Sequence, residues 1–156
     1  MELNTRGRYA VMAMADLAKN GSEIAVSLPA VAERQGISLA YLEQLFVPLR
    51  REGIVQSVRG RSGGYRLARS ASDITIAEIM FAVGEPVEMT RCAAIEFGGC
   101  VHNAKCLTHN LWRALSDHIV DFLSQTSLQD ILDGVSVGRR LAAPRNDVTH
   151  PEARVE

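Results

Sequence analysis

The sequence predicts a mainly α-helical chain with one short β-hairpin and a long C-terminal helix. Apolar residues recur at helical spacing in several segments, a basic glycine-rich turn separates two short strand-like runs, and a run of about 18 residues near the C-terminus is apolar along one side. The 156 residues are 47% hydrophobic and 22% charged, which are ordinary values for a globular protein. We therefore expect one folded core with an added helix.

The N-terminal third of the chain predicts three helices. Residues 5–19 read as an amphipathic helix, and two shorter helices follow at 28–35 and 39–51. Gly36 ends the second helix, and Ser38 is placed to cap the third. Two short helices joined by a tight turn that contains glycine are typical of a helix-turn-helix.

The third predicted helix has two distinct faces. Its buried stripe is predicted to contain Leu42, Leu45, Phe46 and Leu49. The outward positions of its N-terminal half are Ala40, Tyr41, Glu43, Gln44 and Val47. Pro48 removes a backbone hydrogen bond from the helix interior, so we expect a kink or an early loosening there.

A β-hairpin is predicted directly after the third helix. The strand-like runs 54–58 and 64–68 flank the turn Arg59-Gly60-Arg61-Ser62-Gly63. A hairpin in this position is a wing, and arginines at its tip favour contact with DNA. The fold class is therefore mainly α, a winged helix-turn-helix domain with a small β-hairpin wing plus a long C-terminal dimerisation helix.

Charge is distributed unevenly along the chain. The net charge is −1, but residues 1–69 hold ten Lys and Arg against six Asp and Glu, whereas residues 70–156 hold seven against twelve. Within 50–69, six arginines face the single acidic residue Glu52. Such a local excess fits a surface for a polyanion, although a solvated basic surface would have the same composition. Arginine suits phosphate and guanine contacts better than lysine does.

The C-terminal half predicts a helix at 76–83 and a longer one at 107–124, with one more turn at 128–133. The long helix would extend about 27 Å. One side of it is apolar and consists of Leu111, Trp112, Leu115, Ile119, Phe122 and Leu123. This stripe packs either on its own domain or against a second copy of the chain. We favour the dimer because winged-helix regulators usually read two half-sites of DNA. The predicted units are a DNA-binding domain at 1–84, a ligand-binding loop at 85–106, a dimerisation region at 107–133 and a flexible tail at 134–156.

All three cysteines of the chain lie within a short window that also contains histidine. Cys92, Cys100, Cys106 and His109 have the spacing C-x7-C-x5-C-x2-H. Thiolates and imidazole suit zinc or an iron–sulfur cluster. Structural zinc sites usually contain a tight pair of cysteines, so the wide spacing favours a 2Fe–2S cluster, with zinc as the lesser alternative. His102 competes with His109 as the fourth ligand.

The chain resembles the IscR family of winged helix-turn-helix regulators of iron–sulfur cluster assembly, from about residue 1 to 133. The similarity is carried by RGRYAV at 6–11, YLEQLF at 41–46, LRREGIVQSVRGRSGGYRLA at 49–68, TRC at 90–92 and KCLTHNLWRALSD at 105–117. The resemblance implies a cytoplasmic homodimer that binds double-stranded DNA at a two-fold operator and carries a 2Fe–2S cluster on Cys92, Cys100, Cys106 and His109. It also implies that the cluster-bound form represses cluster-assembly genes, that the cluster-free form binds a second class of site, and that cluster-assembly scaffold proteins are partners.

The family's DNA-reading helix matches 39–51, with Glu43 and Gln44 facing the bases and Arg59 entering the minor groove. The candidate DNA-contacting residues are Ser38, Tyr41, Glu43, Gln44, Arg59, Gly60 and Arg61. One departure is that the first two cysteines lie two residues farther apart than in the usual family pattern, which bears on how stable a cluster would be.

Two other functions are weaker predictions. The chain could be a regulator with a structural zinc site, or an iron–sulfur carrier or electron-transfer module on a winged-helix body. No nucleophile–base pair or phosphate-binding loop is present in the sequence, so we do not expect an enzyme. The apolar runs are too short to span a membrane, and residues 1–6 lack a signal-peptide pattern, so we expect a cytoplasmic protein.

Overall fold

The computed structural model describes residues 5–21, 24–85 and 105–134. Its elements in chain order are α1 (Thr5–Asn20), α2 (Leu28–Gln35), α3 (Leu39–Arg51), β1 (Val55–Val58), β2 (Gly64–Leu67), a single 3-10 turn (Ala71–Asp73), α4 (Ile76–Ala82), α5 (His109–Ser124) and α6 (Leu128–Leu132). The prediction of a mainly helical fold with one antiparallel hairpin is confirmed. Cys92, Cys100, His102 and the predicted tail from residue 135 onward lie outside the described residues.

The turn between α2 and α3 forms as its sequence predicts. Gly36 adopts a left-handed conformation, with φ of 64°, and its N–H donates to the carbonyl of Ala32. Ile37 follows at 5% exposure and fills the corner between the two helices. The Ser38 hydroxyl then accepts a hydrogen bond from the backbone N–H of Tyr41, which caps α3.

Helix α1 runs through the centre of the hydrophobic core. Ala10, Ala13, Met14 and Leu17 have no exposed surface, and α2, α3, α4 and α6 pack around them. The predicted buried stripe of α3 is confirmed. Its four residues are at most 1% exposed, namely Leu42, Leu45, Phe46 and Leu49.

Helix α3 continues through Pro48 to Arg51. The expectation of an early loosening at this proline is therefore wrong. Proline removes only one backbone donor, whereas Phe46 and Leu49 on either side of it are fully buried and hold the turn against the core. The carbonyl of Pro48 still accepts a hydrogen bond from Glu52 N–H at 2.9 Å.

The wing is a two-stranded antiparallel hairpin in which Val55 faces Leu67 and Val58 faces Gly64. A third segment joins it, because Val26, just before α2, exchanges two backbone hydrogen bonds with Tyr65, at 2.9 and 2.8 Å. A Cβ atom on Gly64 would lie 2.4 Å from the carbonyl oxygen of Val26. Only glycine permits this approach, so the sequence ties the wing to the start of the helix-turn-helix.

Helix α5 begins two residues later than predicted. Leu107 and Thr108 form a turn, in which the N–H of His109 donates to the carbonyl of Cys106 at 3.1 Å. The helix therefore starts at His109, and Cys106 precedes it.

The C-terminal helix α6 completes the core of the winged domain. It has a capping box in which the side chains of Ser127 and Asp130 satisfy each other's backbone N–H groups. Leu128 is fully buried, and its N–H donates to the carbonyl of Ile74 at 2.8 Å. The chain after α5 is thus bonded back onto the segment that precedes α4. No helix in the described ranges is both long and apolar enough to cross a membrane.

Candidate nucleic-acid interface and metal-ligand segment

The outer face of α3 carries the predicted base-reading side chains. Successive residues of an α-helix turn by about 100°, so Glu43, Gln44 and Val47 share one side, opposite the buried stripe. Glu43 and Gln44 are exposed, and Val47 is 59% exposed. Within the described ranges, no hydrogen bond or ion pair occupies the side chains of Glu43 and Gln44. This face presents a carboxylate, an amide and an apolar side chain to solvent.

Tyr41 does not share that exposure. Its side chain is half-buried, and its ring meets Tyr9 of α1 edge to face, with centroids 6.0 Å apart at 86°. Tyr41 is placed between the outer face and the core, where packing against α1 is available. The sequence predicts an outward position for Tyr41, whereas the structure leaves its side chain half-buried because Tyr9 takes up one side of the ring.

An aromatic contact fixes α3 relative to the wing. The buried ring of Phe46 meets Tyr65 of β2 edge to face, with centroids 4.8 Å apart at 67°. Tyr65 is also the residue that bonds to Val26. Through its ring and its backbone, Tyr65 thus connects the reading helix, the wing and the segment before α2. These contacts set the spacing of the two elements that would contact DNA.

The tip of the wing is an exposed basic turn. Arg59, Gly60 and Arg61 are all exposed, and the turn is closed by a 2.9 Å hydrogen bond from Gly63 N–H to the carbonyl of Gly60. Gly60 has φ of 117°, a conformation that favours glycine. The backbone therefore presents both arginines away from the core.

Only part of the predicted arginine cluster is available for a ligand. Arg51 pairs with Glu52 at 3.3 Å, and Arg69 pairs with Glu78 at 3.0 Å. Burial alone raises the pKa of Glu78, but hydrogen bonds from Thr75 and Arg69 outweigh it and hold that pKa below its ordinary value. The exposed arginines of this segment with no ion pair inside the described ranges are Arg50, Arg59, Arg61 and Arg66.

A polar cluster that no sequence pattern predicts holds α1 against α2. Asp16 of α1 has a 3% exposed side chain and receives hydrogen bonds from Arg34, at 2.6 and 3.0 Å, and from Gln35 at 2.8 Å. Burial alone raises the pKa of Asp16, but these hydrogen bonds and the charge of Arg34 lower it below its ordinary value. The signal in the sequence that could have revealed this cluster is the acidic residue Asp16 among the apolar positions of α1.

Two of the four predicted metal ligands are within the described residues. Cys106 and His109 are both half-buried and flank the turn that opens α5. The Cys106 sulfur lies 3.5 Å from the Thr108 hydroxyl, which also accepts a 3.2 Å hydrogen bond from the indole N–H of Trp112. No group of three or more candidate ligands forms within these ranges. A thiolate and an imidazole on one turn are a donor set that fits zinc or an iron–sulfur cluster.

The first half of α5 keeps its apolar side uncovered. Leu111 is 60% exposed, and Trp112 and Leu115 are each 37% exposed. In the second half, Leu123 packs against the core of the winged domain. The apolar stripe is therefore divided between its own domain and an open surface.

A helix-turn-helix followed by an anchored basic wing defines a DNA-binding protein of the winged-helix class. The chain belongs to the Rrf2 family, whose description is "Iron-dependent Transcriptional regulator", and matches it over residues 3–134. It is thus a DNA-binding transcriptional regulator. The prediction of a regulator rather than an enzyme is confirmed by this membership.

Named relatives agree with this assignment. The chain is 53% identical over 137 residues to a Photorhabdus laumondii protein named "HTH-type transcriptional regulator IscR", covering 88% of this chain and 82% of that protein. It is 50% identical over 137 residues to the Escherichia coli protein of the same name, covering 88% and 83%. The predicted resemblance to the IscR family is therefore confirmed.

Solved structures share the fold. The structure titled T. potens IscR superposes with a TM-score of 0.70 and 36% identity, covering 89% of this chain and 91% of that one. The structure of CymR, the global cysteine regulator of B. subtilis, superposes with a TM-score of 0.73 and 30% identity, covering 86% and 98%. These neighbours confirm the winged-helix architecture.

Proposed function

We propose that this chain is a cytoplasmic homodimeric regulator that senses iron–sulfur cluster status and controls cluster-assembly genes. In this proposal α3 and the wing read a two-fold operator, and Cys92, Cys100, Cys106 and His109 hold a 2Fe–2S cluster. The observation that carries it is the pairing of an exposed reading face with a thiol and an imidazole at the start of α5. The family description, which names iron, supports the same function.

The reading face supplies chemistry suited to the major groove. A glutamine amide can pair with adenine through two hydrogen bonds, and a carboxylate accepts from the amino group of cytosine. Gln44 and Glu43 are exposed side by side on α3. Glu43 also repels phosphate, so it penalises sequences that offer it no donor.

The wing supplies the electrostatic part of binding. Arg59 and Arg61 are exposed at the tip, where Arg59 would enter the minor groove and Arg61 would contact phosphate. Such contacts release counterions, so affinity falls as salt concentration rises. Ser38 lies at the N-terminus of α3, and Gly60 lets the tip approach the DNA backbone closely.

Dimerisation is supported by the uncovered half of α5. Leu111, Trp112 and Leu115 form an apolar surface that a second copy of the helix can cover. A symmetric dimer places its two reading helices at half-sites about 34 Å apart, one turn of DNA, or a multiple of that distance. A two-fold operator follows from that symmetry.

The ligand segment, residues 85–106, lies in the sequence between the DNA-binding domain and the proposed dimerisation helix α5. It precedes α5, whose far end is bonded to the winged core through α6, so a cluster bound there would bias how the two reading helices of a dimer are spaced. A bound cluster supplies a redox-sensitive group that can be gained and lost. If its binding changes operator affinity, operator binding must change cluster retention by the same factor.

The test is an anaerobic visible absorption spectrum of freshly purified protein, with iron and zinc measured on the same sample. We expect charge-transfer bands and about two irons per chain, as a 2Fe–2S cluster requires. A colourless protein with one zinc would instead support a regulator with a structural metal site. His109→Ala and His102→Ala are matched variants, and we expect only the former to lose iron.

DNA binding is tested separately with cluster-loaded and cluster-free protein. We expect the two forms to differ in affinity for at least one class of operator at fixed salt. Equal affinity for every operator would show that the cluster does not act as a switch. Absence of DNA affinity at low salt would favour a carrier or electron-transfer module.

A further inference from the structure

Thr108, the residue immediately before α5, does not form the hydrogen bond that is usual for a helix cap. Thr108 occupies the N-cap position, where a threonine hydroxyl normally accepts a hydrogen bond from a backbone N–H of the first turn. Here that hydroxyl makes no such bond. It contacts two side chains instead, the sulfur of Cys106 and the indole of Trp112.

The direction of these hydrogen bonds follows from the chemistry of the groups. An indole N–H can only donate, so the Thr108 oxygen accepts from Trp112 at 3.2 Å. The hydroxyl proton is then available for the Cys106 sulfur at 3.5 Å. A thiolate or metal-bound sulfur only accepts, so with Cys106 as a ligand the hydroxyl is the donor. A chain of hydrogen bonds thus runs from Trp112 through Thr108 to the ligand sulfur.

We propose that Thr108 is a positioning residue that tunes the electron density on the Cys106 sulfur and links it to the exposed apolar face of α5. This inference rests on the proposed 2Fe–2S function. Hydrogen bonds to ligating sulfur stabilise the more negatively charged reduced state and therefore raise the reduction potential. Trp112 is itself 37% exposed on the face that a second subunit would cover, so the same chain connects the ligand segment to the dimer surface.

The test compares Thr108→Val, which keeps the shape and removes the hydroxyl, with Thr108→Ser, which keeps the hydroxyl. Because Thr108 is exposed and makes no capping bond, neither variant should lose its fold. In cluster-loaded protein we expect Thr108→Val to lower the reduction potential. The equilibrium constant for one-electron reduction should fall roughly tenfold, about 59 mV, while Thr108→Ser stays at the wild-type value.

A second readout needs no cluster. The chain has one tryptophan, so emission from cluster-free protein excited at wavelengths that tyrosine does not absorb reports Trp112 alone. We expect the emission of Thr108→Val to change because the indole loses its acceptor, and that of Thr108→Ser to match wild type. Unchanged emission in Thr108→Val would overturn the hydrogen-bond chain.

The outcomes separate this inference from the function on which it rests. Protein that holds two irons but shows the same potential in all three forms overturns the role of Thr108 and leaves the cluster function intact. Equal shifts in the valine and serine variants overturn it as well, because they would show a structural effect rather than loss of the hydroxyl. Protein that takes up no iron after reconstitution overturns both proposals.

Discussion

Replacing Asp16 tests how α1 and α2, the two helices that support the reading helix α3, are held together. In Asp16→Ala, Arg34 and Gln35 lose their shared acceptor. Removing one partner of a fully buried ion pair costs about 3–5 kcal/mol, whereas an exposed pair contributes about 0–1 kcal/mol. The Asp16 side chain is 3% exposed but that of Arg34 is 39% exposed, so water can solvate the guanidinium in the variant. We expect the free energy of unfolding to fall by about 2 kcal/mol.

The assay is urea denaturation followed by far-ultraviolet circular dichroism. Asp73→Ala is the matched control, since Asp73 is exposed in the 3-10 turn, and it should change stability by less than about 0.5 kcal/mol. A double variant with Arg34→Ala should lose little more than Asp16→Ala alone if the two side chains act as a pair. A loss below about 0.5 kcal/mol for Asp16→Ala would be no larger than the limit set for the control. It would refute the role of Asp16 as the acceptor that holds α1 against α2.

The cluster of Asp16, Arg34 and Gln35 also predicts that the stability of the protein depends on pH. The pKa of Asp16 is lower in the folded state than its ordinary value of 3.8. Its contribution is therefore complete above that value and is lost as the pH falls through the folded pKa. The stability difference between wild type and Asp16→Asn should be largest at neutral pH and should shrink as the pH falls below about 3.8 toward the folded pKa. A difference that is constant across this range would contradict the role of the charge.

Four further substitutions test the DNA-binding surface and the fold. Glu43→Ala should relax sequence selectivity more than it lowers affinity, and unchanged selectivity in footprints would remove its discriminating role. Arg61→Ala should weaken binding and reduce the slope of log affinity against log salt by about 1; an unchanged slope would exclude a phosphate contact. Gly64→Ala should break the Val26 bridge and destabilise the protein by about 1–3 kcal/mol, whereas Ser62→Ala at the tip should not. Leu128→Ala should cost about 2–5 kcal/mol by urea denaturation, and a loss below about 1 kcal/mol would mean that α6 is not part of the core.

Local patterns in the sequence predicted most of the helical framework. Apolar spacing identified the buried stripe of α3, and Gly36 with Ser38 marked the turn before it, because a left-handed residue and a hydroxyl cap act within a few residues. Errors arose where local rules met longer contacts. Pro48 did not loosen the end of α3, because burial of Phe46 and Leu49 outweighs one lost backbone bond.

The exposed side of α3 was predicted from the sequence, but the contacts with other helices that hold it in place were not. Exposure of Glu43 and Gln44 follows from helix periodicity alone. The half-burial of Tyr41 depends on Tyr9, which is far away in sequence. Likewise, the pairing of Asp16 with Arg34 joins two helices, so no spacing rule within either helix could reveal it.

By itself the sequence determined the class of protein, since helical periods, turn residues, the basic wing and the cysteine–histidine spacing are all encoded within short windows. Only the tertiary structure decided that Val26 joins the wing, that α6 closes the core, and that the Thr108 hydroxyl turns from capping its helix to bonding two side chains. Each of these depends on which distant groups meet, because hydrogen bonds and buried contacts act over a few ångströms in space whatever the separation along the chain.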